Sequence, residues 1–454
     1  SPGDAAAGWA VGMLAKAASD DMPTQARTKT TRSTVNTPMT AAGVATLTLS
    51  ERYLQGPKLT DPTKDNVSLE LRKGLRWLDE NFDPDEAFDS DWFYTMWTVQ
   101  QVGRATGRRT FNGVDWFREI TAELLARQGD DGLWEDEAGR QGKLLSTGFA
   151  LLYLANALEP VAVSKVQFDG AWDGRPNDLW NFDEVDTAWQ VVDLDQPVHD
   201  LVDSPLLYLA THEPFALSDA EVDRLREYID AGGMLVFNPE SAWGRVSASV
   251  EALVAALYPG RSLEPVAEFH PFNDLHTKLR GDQPMQMVHN GVRPLVVVFT
   301  KDVGRGLQSN DPKRFGDSFA VMSNLYLYAV GTEPRRVRLE SDYVVPTEDP
   351  AGEQVAVARI RYAGDYNPEP GALAQLRAAM AQEQGIDLQV SDTLAAELAD
   401  EKIALLTSVA GGALTDEEAR AIRRWVRAGG TLWLDATGGT TEAVKATDAM
   451  LAPI

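Results

Sequence analysis

Any chemistry in this chain draws on a short inventory of side chains. There is no cysteine and there are five histidines: His199, His212, His270, His276 and His289. Without a thiol there is no cysteine nucleophile, disulfide or zinc–thiolate site. His270 and His276 bracket FHPFNDLH, too far apart for one helical face and without the helix of a His-Glu-x-x-His zinc site. Metal ligation there would enlist Asp274 or Glu240, and loop histidines held by backbone groups are the plainer reading, so neither metal nor cofactor is expected. Ser241, in PESAWG after the apolar run MLVF, is a candidate nucleophile, with Glu240 beside it and His270 or His276 as base. Pro239 and Glu240 crowd that turn and no Gly-x-Ser-x-Gly elbow is present, so no catalytic residue is assigned. WDGRPNDLW offers a different chemistry, because it puts Trp172, Arg175, Asn177 and Asp178 directly after the first predicted strand, KVQF. Arg175 could pair a ligand anion bidentately while Trp172 stacks; the alternative is a loop pinned by Arg175 and Asp178. His212, Asn238 and His270 complete the ligand-binding candidates.

The elements that must position these groups are announced by a repeat. ALSDAEVDRLREYIDAGGMLVFN (Ala216 to Asn238) returns as ALTDEEARAIRRWVRAGGTLWLD (Ala413 to Asp435) in unbroken register. Ser218 with Glu221, and Thr415 with Glu418, predict capping boxes at two helix starts. Val222, Leu225, Tyr228 and Ile229, like Ala419, Ile422, Trp425 and Val426, fall on one helical face. Gly232-Gly233 and Gly429-Gly430 stop the helices, and short buried strands follow. Upstream, PLLYLA aligns with KIALLT, and KVQFDGAW with RIRYAGDY, as further strands. Strands alternating with helices predict parallel sheets, whose ligands sit beyond the carboxyl ends of the strands. The scaffold is duplicated but the loops diverge: His212 faces Val409 and Asn238 faces Asp435. Candidate chemistry is therefore expected in the first copy. The second copy is expected to end after Leu434 in a short tail, without the histidine loop and closing helix.

The chain of 454 residues with net charge −26 is long enough for about three domains. Its acidity argues against nucleic-acid binding and against anionic membrane surfaces. No stretch is long and apolar enough for a membrane span. Nothing at the start resembles a signal peptide, and the opening Ser-Pro-Gly-Asp suggests a processed or cloned beginning with segments upstream. Residues 1–160 read as helical, 161–333 as an α/β domain, 334–352 as a linker with a strand at Val337 to Val345, and 353–454 as a smaller second α/β domain.

Two resemblances sharpen this. QGDDGLW (Gln128 to Trp134) fits the Gln-x-x-x-Gly-x-Trp turn of the squalene cyclase and prenyltransferase α/α toroids, which residues 39–160 resemble over about two repeats. The Asp-x-Asp-Asp acid of the cyclases is missing, and Asp83, Asp85, Glu86, Asp89 and Asp91 read as loop and cap residues. FDGAWDGRPNDL, DAGGMLVFN, FHPFNDL and SNLYLYAVG resemble the bacterial domain of unknown function 4159. That resemblance implies a class I glutamine-amidotransferase-like, flavodoxin-like fold and company with toroid segments, and no reaction. The fold class expected is thus a partial toroid followed by two flavodoxin-like α/β domains, the second smaller. The function expected is a non-enzymatic binding or scaffold protein of the cell envelope, periplasmic or envelope-associated, with grooves for a glycan, a peptide or a partner protein. The alternative is a hydrolase of carbohydrate or amide bonds at the crevice of the first α/β domain.

Overall fold

The computed structural model describes residues 36–55, 68–84, 92–135, 142–157, 161–168, 190–280, 284–309, 311–331, 341–347, 352–409 and 412–454. Trp172, Arg175, Asn177 and Asp178 lie outside the described residues, as do the carboxylates from Asp85 to Asp91.

Helices α1 (Thr37–Gln55), α2 (Leu69–Asn81), α3 (Trp92–Thr106), α4 (Trp116–Ala126) and α5 (Gly142–Ala157) make up the amino-terminal part, with a small hairpin, β1 (Thr110–Phe111) and β2 (Val114–Asp115), between α3 and α4. Their apolar faces meet in one core around Leu78, Phe93, Trp116 and Tyr153. The Gln-x-x-x-Gly-x-Trp turn is a structural lock. Gly132 has φ +76°, Gln128 donates to its carbonyl at 3.0 Å, and buried Trp134 donates from its indole to Leu124 O at 2.7 Å.

The first α/β unit is a seven-stranded sheet in the order β4-β3-β5-β6-β9-β8-β7. Five strands are parallel: β3 (Ser164–Gln167), β4 (Gln190–Asp193), β5 (Leu206–Thr211), β6 (Met234–Pro239) and β9 (Pro294–Phe299). The edge strands β7 (Glu264–Pro265) and β8 (Met285–His289) run antiparallel to their neighbours, which the strand–helix alternation of the sequence does not reveal. Every residue of β5, β6 and β9 is buried, because helices cover both faces. After the short α6 (Val198–Leu201), helices α7 (Asp219–Asp230) and α8 (Trp243–Leu257) meet Leu207, Leu209 and Phe237 on one face. The short α9 (Gly304–Gln308) and α10 (Gly316–Val330) meet Tyr208, Val236 and Val297 on the other.

The second unit repeats this frame with β10 (Glu353–Arg361), α11 (Pro370–Gln384), β11 (Ile386–Leu394), β12 (Ile403–Ser408), α12 (Asp416–Arg427) and β13 (Thr431–Ala436), all parallel in the order β11-β10-β12-β13. Position for position, this matches β4-β3-β5-β6. Both capping boxes form. In both double-glycine turns the first glycine has a strongly positive φ, +105° and +109°, while a Cβ on the second would overlap the ring of Tyr228 or Trp425. Those rings also make equivalent hydrogen bonds, to Ser204 O at 2.9 Å and to Glu401 O at 3.0 Å. One expectation is corrected. The tail after Leu434 contains a further helix, α13 (Thr441–Leu451), started by Thr440, whose hydroxyl accepts from Ala443 N at 3.1 Å. It is the counterpart of α8. Arg226 donates to Ala256 O and Leu257 O at the end of α8, and Arg423 likewise to Pro453 O and Ile454 O beyond α13. Of the expected linker strand, the described part, 341–345, forms no strand; Gln375 and Gln382 of α11 bond its backbone instead.

The three parts are joined by polar contacts. Gly107 to Arg109 runs beside β4, where Val191 N donates to Gly107 O. Arg109, 3% exposed, reaches into the first α/β unit to Asp200 and Asp203 while also meeting Asp115. Just before β9, Arg293 forks onto Glu369 at 3.0 and 3.1 Å and donates to Gly233 O and Ile229 O.

Candidate functional site

In a parallel sheet of this kind the loops after the strands form the natural ligand face, and the first unit gathers its candidates there unevenly. Thr211 and Pro239 are register partners, and Glu240 N donates to Thr211 O, so His212, Glu240 and Ser241 are neighbours at the carboxyl ends of β5 and β6. Burial lowers the His212 pKa, with Glu213 opposing and Arg245 reinforcing, so the ring is neutral near neutral pH. The Ser241 hydroxyl is buried with no hydrogen-bond partner among the described residues. Its backbone is ordinary: Asn112 alone among the described non-glycine residues has a positive φ, so Ser241 is not on a strained nucleophile elbow.

Beneath this corner lies a pair that sequence reading passed over. Lys165 of β3, 1% exposed, faces the fully buried Glu240 carboxylate at 3.5 Å and lies over the Tyr208 ring at 5.9 Å. Burying both charges is tolerable because each offsets the other. The available signal was a lysine between the apolar residues Val163 and Val166 of a predicted buried strand, VSKVQF.

Asn238 is wholly buried and holds the turn after β9: its Oδ1 accepts from Val303 N and Gly304 N, and its Nδ2 donates to Asp302. His270 and His276 do not join Ser241. His270 caps the 3-10 turn Pro271–Asn273, accepting from Phe272 N, and its ring packs on Phe272 and on Tyr328 at the far end of α10. Burial, and then His289, depress its pKa. Tyr328 lines the same cavity as Pro205 and Gly233, which precede β5 and β6, so His270 lies toward the amino ends of the strands and Glu240 at their carboxyl ends. His276 is exposed, its backbone amide bonded to Asn324. No group of three His, Asp or Glu side chains among the described residues is placed to hold a metal ion.

The described carboxyl-end loops of the second unit form a seat for part of the first. The β8–β9 turn of the first unit, His289 to Arg293, sits in it: Gly291 packs against Val409, Val292 against Gly438, and Asn290 donates to Pro368 O and Glu369. The register of the repeat pairs His212 with Val409 and Ser241 with Gly438. Where the first copy carries polar candidates, the second therefore carries an apolar residue and a glycine that receive a loop.

Among the described residues no helix is long and apolar enough to cross a membrane. No curated protein matches the chain. Residues 177–329, most of the first α/β unit, match the model of a family described as a domain of unknown function, DUF4159.

Proposed function

We propose that this chain is a non-enzymatic binding or scaffold protein of the bacterial cell envelope, built from a partial terpenoid-cyclase-like α/α toroid and two flavodoxin-like, class I amidotransferase-like units. One observation carries the reading. The crevice that would take a ligand in the second unit takes a turn of the first, so this fold is being used for assembly. The parallel order 2-1-3-4 in each unit is that of doubly wound, flavodoxin-like sheets, which supports the finer fold assignment. The carboxyl end of the first unit, where His212, Glu240 and Ser241 are neighbours, is the place we assign to a glycan, a peptide or a partner protein.

The buried, unbonded Ser241 hydroxyl beside His212 favours the alternative, a hydrolase acting on carbohydrate or amide bonds, with His212 replacing His270 as base. A fluorophosphonate probe separates the two. No labelling is expected, together with saturable cosedimentation with purified peptidoglycan or with an envelope protein. Labelling that disappears in Ser241→Ala would overturn the scaffold reading.

A further inference from the structure

A second feature of the carboxyl end points to a ligand class and does not depend on that reading. The segment Thr277 to Arg280, the turn after β9 and the start of α10 border a solvent-open cavity of about 880 Å³, ample for a small metabolite. Its cationic lining comprises Lys278, Arg280, Lys301, Arg305, Lys313 and Arg314. This concentration occurs in a chain of net charge −26, so composition does not account for it. Two carboxylates share the wall, and both are turned to other work. Asp302 accepts from Asn238 and from Arg305 N, and Asp317 accepts from Arg280 N. Among the described residues, no carboxylate lies within ion-pair distance of the six cations. With six cations against the two carboxylates Asp302 and Asp317, the lining is net positive, which favours entry of an anion.

The backbone agrees. Helix α10 is fifteen residues long, no side chain caps its start, and its first residue, Gly316, lines the cavity with open space where a Cβ would stand. The helix start at Gly316 thus places the positive end of the helix dipole at the cavity. We propose that this cavity binds the phosphoryl group of a small phosphate ester. A tetrahedral dianion presents enough oxygens to engage cations from three segments at once, whereas a carboxylate presents two. A nucleic-acid backbone is disfavoured by the acidity of the chain.

The test uses the full chain and inorganic phosphate, titrated calorimetrically at low ionic strength. Lys301→Glu/Arg305→Glu reverses two exposed wall charges, and Arg420→Glu/Arg427→Glu makes the same net change on the exposed surface of α12. Thermal melting checks that both variants fold. We expect one saturable phosphate site in the wild type, weakened roughly tenfold or more in the wall variant, unchanged in the α12 variant and competed by sulfate. Absence of saturable binding, or equal weakening by both variants, would overturn the proposal.

Discussion

Replacing Arg109 with methionine tests how the helical part is fixed to the first α/β unit. Arg109 is 3% exposed and lies 3.0 Å from Asp115, 3.0 Å from Asp200 and 2.8 Å from Asp203. Burial works against its charge, but the three carboxylates outweigh it and hold the guanidinium pKa above its ordinary value. Methionine fills most of the volume and leaves Asp203 without its cation, while Arg118 still pairs with Asp200 at 2.6 Å and stands 3.9 Å from Asp115. Removing one partner of a buried pair costs about 3–5 kcal/mol; because Asp115 and Asp200 keep 14% and 15% of their side-chain exposure, we expect about 3 kcal/mol near neutral pH.

The pH dependence is the sharper part. Burial already raises the Asp203 pKa, with Arg109 opposing and Asp115 and Asp200 reinforcing. Without Arg109 the opposition is gone and the pKa rises further. A carboxyl whose folded pKa exceeds its unfolded value contributes stability that is present at low pH and lost as pH rises through the folded value. The penalty of Arg109→Met should therefore be largest near pH 7–8 and shrink toward pH 5. Urea unfolding followed by the fluorescence of buried Trp92 and Trp116 reads it, and adding Asp203→Asn should restore part of the loss. A penalty that is constant with pH, or no recovery in the double variant, would refute the reasoning.

Two further outcomes follow from packing and titration. In Gly371→Ala the new Cβ would stand 2.0 Å from Asp230 O, a backbone atom that cannot swing away. The two α/β units should loosen at a cost of about 1–3 kcal/mol, seen as faster proteolysis between residues 332 and 352 while each sheet keeps its circular dichroism. His270, whose pKa is depressed by burial and then by His289, contributes stability that is present above its ordinary pKa and lost as pH falls through the lower folded value. His270→Gln should flatten the fall in melting temperature between about pH 7 and pH 5; an unchanged slope would show that the ring does not titrate as argued.

What the sequence conveyed was local. Capping hydroxyls, double glycines and helical stripes each act within a few residues, so the helices of the repeat and the strands after them could be read directly. Helix α13 was overlooked although its signal was present: Thr440 heads a run with Ala443 and Met450 on the buried face. The antiparallel edge β7–β8 had no comparable cue, because β7 is two exposed residues. The site was less legible for a physical reason. Lys165 and Glu240 are far apart in the chain and meet only through sheet order, while the six cations of the cavity come from separate segments and vanish in an acidic total. Arg109 sits between α3 and β1 and meets Asp200 and Asp203 only through the packing of the two parts. Sheet register brings His212 next to Glu240 and Ser241, whereas His270 is drawn to Phe272 and Tyr328.

The turn lodged in the second unit has one further consequence. Because host and guest belong to one polypeptide, the guest is present at an effective concentration of about millimolar, whatever the dilution of the protein. An intrinsically feeble association thus stays closed, and selection need not have refined it. Severing the tether would expose a vacant receptor in the second unit, competent to accept the same turn from another molecule. A nick between residues 332 and 352 would thereby convert an internal contact into an exchangeable one, with domain swapping as its natural product.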